Sequence, residues 1–215
     1  MIQRDYIMRM IEQFTAFLFA IVFNKKTENY DIALEKIEEA YNGLLHLNGD
    51  EIKKLDISEI IKNNSHENVL AKDNIEIIAT LLFEEADIIE KINGTNNTSL
   101  EYYKKSLKLF FALLKEADAQ KVRENIAEIT GKLANYKIDN GLTYKMYEYY
   151  VKMESYGKAE DKLYELLERN HPGIKDEIKT FYETLLEKDD AILAKGNLPR
   201  EEIIEAIEKL ENKGA

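Results

Sequence analysis

Cysteine is absent from the 215-residue chain. That excludes disulfides, thiolate nucleophiles and cysteine metal sites. Proline occurs twice and glycine nine times, so few points in the chain force a turn, and collagen-like or disordered classes are excluded. No stretch alternates polar and apolar residues with period two. No dinucleotide fingerprint and no Gly-x-Ser-x-Gly occurs, and Thr130-Gly131-Lys132 lacks the glycine pattern and the strand of a phosphate loop. Basic residues are outnumbered, 30 Lys and Arg against 41 Asp and Glu, for a net charge of −11. Residues 1–26 sum to +2, so the rest carries −13. An acidic body repels phosphate backbones, which argues against a nucleic-acid partner.

What is present is helical rhythm. Ala33, Ile37, Ala40, Leu44 and Leu47 recur at three- and four-residue steps. Leu100, Tyr103, Leu107, Phe110 and Leu114 do the same, as do Leu142, Met146, Tyr149 and Met153. Ile174, Ile178, Phe181 and Leu185 repeat it, and Ile203, Ile207 and Leu210 close the chain. Each set lays an apolar stripe along one helix face, with Glu and Lys opposite. The stretch around 67–93 is apolar on two sides, through Ile77, Leu81 and Ile88 and through Ile75, Ile78, Leu82 and Ile89. Such a helix belongs at the centre, with neighbours on both flanks.

Punctuation places the boundaries. Thr98-Ser99-Leu100-Glu101 and Asp56-Ile57-Ser58-Glu59 have the form of capping boxes. Pro172 and Pro199 suit first helical turns. Asn48-Gly49, Asn93-Gly94 and Asn140-Gly141 read as helix ends or turns. The spacing predicts helices near 2–24, 28–47, 57–63, 67–93, 97–116, 120–137, 142–154, 157–169, 173–187 and 200–212, with a short turn near 189–195. The expectation is one all-α domain over 1–215, with a weak internal boundary at 48–66.

Tyr30-x-x-Ala33-x-x-x-Ile37-x-x-Ala40 resembles the second-helix half of a tetratricopeptide repeat. Tyr156-x-x-Ala159-x-x-x-Leu163-x-x-Leu166 is similar, and Ser99-x-x-x-Tyr103-x-x-Ser106 is a third match. Small residues at these positions let two helices approach closely. In the preceding helix of the second match, Tyr150 fits the repeat pattern and Met146 is compatible with it. The anchors Ala33, Ser99 and Ala159 lie 66 and 60 residues apart, against a family period of about 34, so they are not tandem neighbours. The resemblance implies antiparallel helix pairs in a short, irregular solenoid or bundle. It implies protein or peptide binding by analogy. The opening, Gln3 to Phe14, also resembles the start of a small uncharacterised bacterial family with no assigned activity.

Candidate chemistry is sparse. Glu168-x-x-His171 has the spacing used by di-iron bundles, but neither His46 nor His66 repeats it, and such sites need two copies plus further acids. No metal and no cofactor is therefore expected. Glu84, Glu85, Asp87 and Glu90 crowd one helix; they read as a solvated face, with Asp87 and Lys91 paired four residues apart. Paired carboxylates can act as acid and base if burial separates their pKa values, which keeps a helical enzyme as the weakest of three functional readings.

Aromatics are the richest feature. Tyr144, Tyr147, Tyr149, Tyr150 and Tyr156 fall within 13 residues. Tyr149 joins the Leu142 stripe, whereas Tyr144, Tyr147 and Val151 form a second stripe that needs a neighbouring helix or a ligand. First helices of tetratricopeptide pairs line the groove, so the resemblance makes these three the candidate groove. The run Phe14–Phe23 is ten residues long, short of the roughly 20 of a bilayer span. Asp5 and Glu12 also break the pattern of a signal peptide. The run reads as central core, as a homodimer seam through Phe14, Phe17, Leu18 and Ile21, or as an interfacial membrane helix, for which the basic face is poor. The expectation is a cytoplasmic, non-enzymatic module binding a protein or peptide in a groove. A structural homo-oligomer seamed by the first helix is the alternative, and no membrane partner is expected.

Overall fold

The computed structural model describes residues 2–63, 69–114 and 120–212. Among these, every regular element is a helix, as the spacing predicts. The order is α1 (Ile2–Lys26), α2 (Tyr30–Leu45), α3 (Gly49–Lys54), α4 (Ile57–Asn63), α5 (Val69–Asn93), α6 (Asn97–Leu113), α7 (Gln120–Leu133), α8 (Asn140–Lys152), α9 (Tyr156–Glu168), α10 (Ile174–Leu186), α11 (Asp190–Lys195) and α12 (Arg200–Asn212). The chain forms two compact units, Met1–Tyr136 and Lys137–Ala215. The stretch 48–66 lies inside the first unit. It folds in part into α3 and α4, and its last residues, 64–66, are outside the described ones.

Three helix pairs dominate the packing: α1 with α2, α5 with α6, and α8 with α9. Each pair is joined by three residues, 27–29, 94–96 and 153–155. A link that short turns the second helix back along the first. Each link contains one left-handed residue: Glu28 at φ 61°, Gly94 at φ 67° and Glu154 at φ 54°. Gly94 takes that conformation without penalty, whereas the two glutamates carry the Cβ cost.

Ala33, Ser99 and Ala159 lie in the first turn of α2, α6 and α9, and all three are buried. Ser106, two turns further along α6, donates its hydroxyl to the carbonyl of Ala79 on α5 at 2.7 Å. Only a short side chain permits that approach. Around the anchors Ile37, Tyr103, Leu107, Leu163 and Leu166 are buried, each contributing roughly 1.5–3 kcal/mol.

In the first unit α5 is the central rod. Residues 77–88 are buried without interruption, as its two apolar sides predict. Its capping differs from the sequence reading at the next helix. Asn96, not Thr98, caps α6: its side chain accepts from Thr98 N and Ser99 N, while Ser99 Oγ accepts from Asn96 N. Asn48 likewise starts a helix, accepting from Asp50 N, and Asp139 caps α8 by accepting from Leu142 N. At α4 the expected reach-back is present, with Asp56 N donating to Glu59.

The second unit packs α10 against α9 and α12. Gly196 is buried there; a Cβ on it would meet the Tyr156 ring and lie 2.6 Å from the Glu154 carbonyl. Arg169 donates to the Ile138 carbonyl and to Thr143 Oγ1, tying the entrance of α8 to the end of α9.

Candidate functional site

The four acids of α5 are the first place to look for chemistry, and the structure corrects their reading. They do not form a solvated face. Glu84, Glu85 and Asp87 are 7%, 7% and 6% exposed. Asp87 does not depend on Lys91, which is exposed. Its partners come from other helices. Lys25, in the last turn of α1, lies 2.5 Å from Glu84 and 2.9 Å from Asp87. Lys53 of α3 lies 2.9 Å from Glu85. Lys132 of α7 lies 2.8 Å from Asp87 and 2.6 Å from Glu90. Tyr103 of α6 donates to Glu90 at 2.9 Å, and Thr95 donates to it at 2.6 Å. Four elements thus converge on two turns of α5.

Burial decides the protonation balance. Desolvation holds Glu84 and Glu85 above the usual carboxylate range, against the pull of Lys25 and Lys53. Burial also pushes Asp87 and Glu90 up, but hydrogen bonds from Lys132, joined at Asp87 by Lys25, outweigh it and leave both below their usual values. Lys25, Lys53 and Lys132 lose hydration yet stay above their ordinary value, because each faces a carboxylate. Glu85 Oε2 and Tyr41 Oη are among the buried side-chain atoms that have no hydrogen-bond partner. The Tyr41 hydroxyl is pushed up by burial and then by the nearby Glu85 charge. With every acid engaged by a cation, the seam does structural work. It clamps α1, α3 and α7 to the central rod.

The tyrosine stripe is largely absorbed by packing. Tyr147 is 7% exposed. Its ring meets Phe181 of α10 edge-on, with centroids 5.8 Å apart, and its hydroxyl donates to Glu177 at 2.8 Å. Tyr144 is half-buried between Tyr147 and His171, and Val151 is also half-buried. The stripe therefore finds its neighbouring helix in α10. His171 stacks on Tyr144, His46 is exposed at the end of α2, and His66 lies outside the described residues. Among the described residues no three His, Asp or Glu side chains are grouped to hold a metal ion.

The first helix divides its apolar residues between two faces. Met10, Phe14 and Ile21 are buried in the chain's own core, Phe14 at 9% and Ile21 at 0% exposure, while Phe17 and Leu18 are half-buried. The four residues of the expected seam thus face inward wholly or in part. The outward face carries other side chains: Met8, Ile11, Phe19 and Phe23 are 51%, 45%, 73% and 55% exposed. They follow at steps of three, eight and four residues, which keeps them on one side of a 3.6-residue helix. Phe19 and Phe23 stack on each other at 6.3 Å. Beside this strip an open cleft of roughly 460 Å³ lies between α1 and α2. Ala16, Ala20, Phe17 and Gly43 floor it, and the Lys36–Glu39 ion pair stands at its rim.

By length and composition, Asp5–Lys26 is also long and apolar enough to cross a membrane. The ten-residue run understates it, because flanking Ile7, Met8, Met10 and Ile11 extend the apolar stretch along the helix.

A family model spans residues 1–214. The chain belongs to the family of unknown function DUF6483. That agrees with the resemblance seen at the opening segment. No curated protein and no solved structure matches the chain.

For this DUF6483 chain, sequence reasoning missed the half-buried lysines and the outward strip. Lys25 could have been found, because it continues the inward sequence Met10, Phe14, Phe17, Ile21 at a four-residue step. Glu84 and Glu85 likewise interrupt the stripe Ile77, Leu81, Ile88 on a helix already marked as central.

Proposed function

We propose that this chain is a non-enzymatic recognition module of tetratricopeptide-like build, which docks a protein or peptide on the outer surface of α1 and the cleft beside it. The observation that carries the reading is the outward strip of Met8, Ile11, Phe19 and Phe23. Soluble chains rarely leave large contiguous apolar patches uncovered unless something binds there. The helix pairs with small buried anchors at Ala33, Ser99 and Ala159 support the repeat-like build. The engaged state of every α5 carboxylate speaks against acid–base chemistry there, since a catalytic acid needs access to substrate. The inner face of α1 is seated on α2 and α5 and its half-buried Lys25 is engaged in the ionic seam, which supports a protein-facing helix in a cytoplasmic chain rather than a bilayer span.

The test is photo-crosslinking in cells, with a photoreactive residue at position 19 and a control at exposed Glu183. Position 19 is expected to trap a discrete protein adduct that the control does not. Equal labelling at both positions, or turnover of a small molecule by the pure chain, overturns the reading.

A further inference from the structure

The outward strip of α1 has a polarity that selects its occupant. It runs from Met8 to Phe23, about 22 Å along the helix. Asp5 is exposed just beyond one end and Lys26 just beyond the other, both on the outward side. At its middle stand Thr15 and Ala16, two small exposed residues. Phe19 is the most exposed large apolar side chain among the described residues. Next to it opens the cleft floored by Ala16, Ala20 and Gly43.

These features complement one another when a second α1 lies antiparallel across the first. A two-fold axis between Thr15 and Ala16 sets Asp5 opposite the second copy's Lys26, and Lys26 opposite its Asp5. The same register sets Met8 opposite Phe23 and brings each Phe19 ring over the partner's Glu12–Ala16 turn, at the mouth of its cleft. Small residues at the crossing point let the two rods approach, and antiparallel helix dipoles attract. The charge distribution of the whole chain points the same way. Residues 1–26 sum to +2, or +1 once Lys25 is left out as engaged in the seam, against −13 elsewhere, so two acidic copies meet with least repulsion through this helix.

We propose that the occupant of the α1 strip is a second copy of this chain, forming an isologous dimer through antiparallel α1 helices with Phe19 as the knob. This rests on the reading of α1 as a docking surface and names its partner.

Analytical ultracentrifugation between about 1 µM and 1 mM tests it. The full chain is expected to pass from 25.0 kDa to twice that mass. Phe19→Asp is expected to weaken association by about 30-fold or more, as loss of a central aromatic anchor does, with unchanged far-UV helicity. Lys26→Asp should also weaken it, and the swap Asp5→Lys with Lys26→Asp should restore it. Because the chain has no native cysteine, Thr15→Cys should form an intermolecular disulfide under mild oxidation while Glu183→Cys does not.

A chain that stays monomeric throughout, or a dimer indifferent to Phe19→Asp and to the charge swap, overturns the proposal. Binding of the monomer to vesicles of phosphatidylcholine and phosphatidylglycerol through Phe19 assigns the strip to lipid and overturns it equally. If the chain is monomeric yet the position-19 crosslink still traps another protein, the dimer fails and the recognition reading stands.

Discussion

Individual side chains carry unequal weight in this fold. Lys25 matters most among the charged ones, because it is the only cation within ion-pair distance of Glu84 and one of two serving Asp87 among the described residues. Lys25→Met fills the space but leaves two buried carboxylates short of a partner. Breaking a buried pair from one side costs about 3–5 kcal/mol, and urea unfolding should register a loss of that size. A loss under about 1 kcal/mol means water already serves the acids. Tyr41 behaves oppositely. Its hydroxyl is buried and unbonded, and an unsatisfied buried group costs about 1–3 kcal/mol. Tyr41→Phe should therefore leave stability unchanged or raise it by up to about that amount. A clear drop in melting temperature refutes the orphan hydroxyl.

Among the elements, α5 is the one on which the first unit depends. Its four acids titrate in two groups. Asp87 and Glu90 sit below their usual pKa in the fold, so the stability they add is present above the ordinary range of 3.8 to 4.5 and is lost as pH falls through their lowered values. Glu84 and Glu85 sit above the ordinary 4.5, so their contribution is full below that value and is lost as pH rises through the raised one. The lysines sit above 10.5, so theirs is present below that value and disappears in strong alkali. Thermal melting against pH should peak on the acidic side of neutrality and fall toward both extremes. Asp87→Asn should flatten the acid limb and only partly reduce the alkaline one, since Glu84 and Glu90 still face Lys25 and Lys132. An acid limb of unchanged steepness in that variant places the sensitivity in other groups.

At the scale of the whole molecule, repulsion opposes burial. A net charge of −11 is spread over an acidic exterior, whereas the attractive pairs at α5 are shielded from solvent. Salt screens the first and barely touches the second. Raising ionic strength from about 0.01 to 0.15 M shortens the screening length from about 30 to 8 Å. The melting temperature should rise over that interval, and self-association through α1 should tighten with it. A fall on adding salt would mean that exposed ion pairs such as Lys36–Glu39 outweigh the repulsion.

The helices were legible in the residues because burial of a stripe every three or four positions is a local property. So were the central place of α5 and the small anchors of α2, α6 and α9. Short-range cues failed where the partner was remote. α3 was not foreseen, since a six-residue helix offers little periodicity, and the cap of α6 moved two residues to Asn96. The acids of α5 looked like a wet face until Lys25, Lys53 and Lys132 arrived from 59, 32 and 45 or 42 residues away. The outward face of α1 is the same case. Its amino acids are apolar all round, and composition cannot say which half turns inward. The packing of Met10, Phe14 and Ile21 on the chain's own core settles that, and leaves Phe19 in the open.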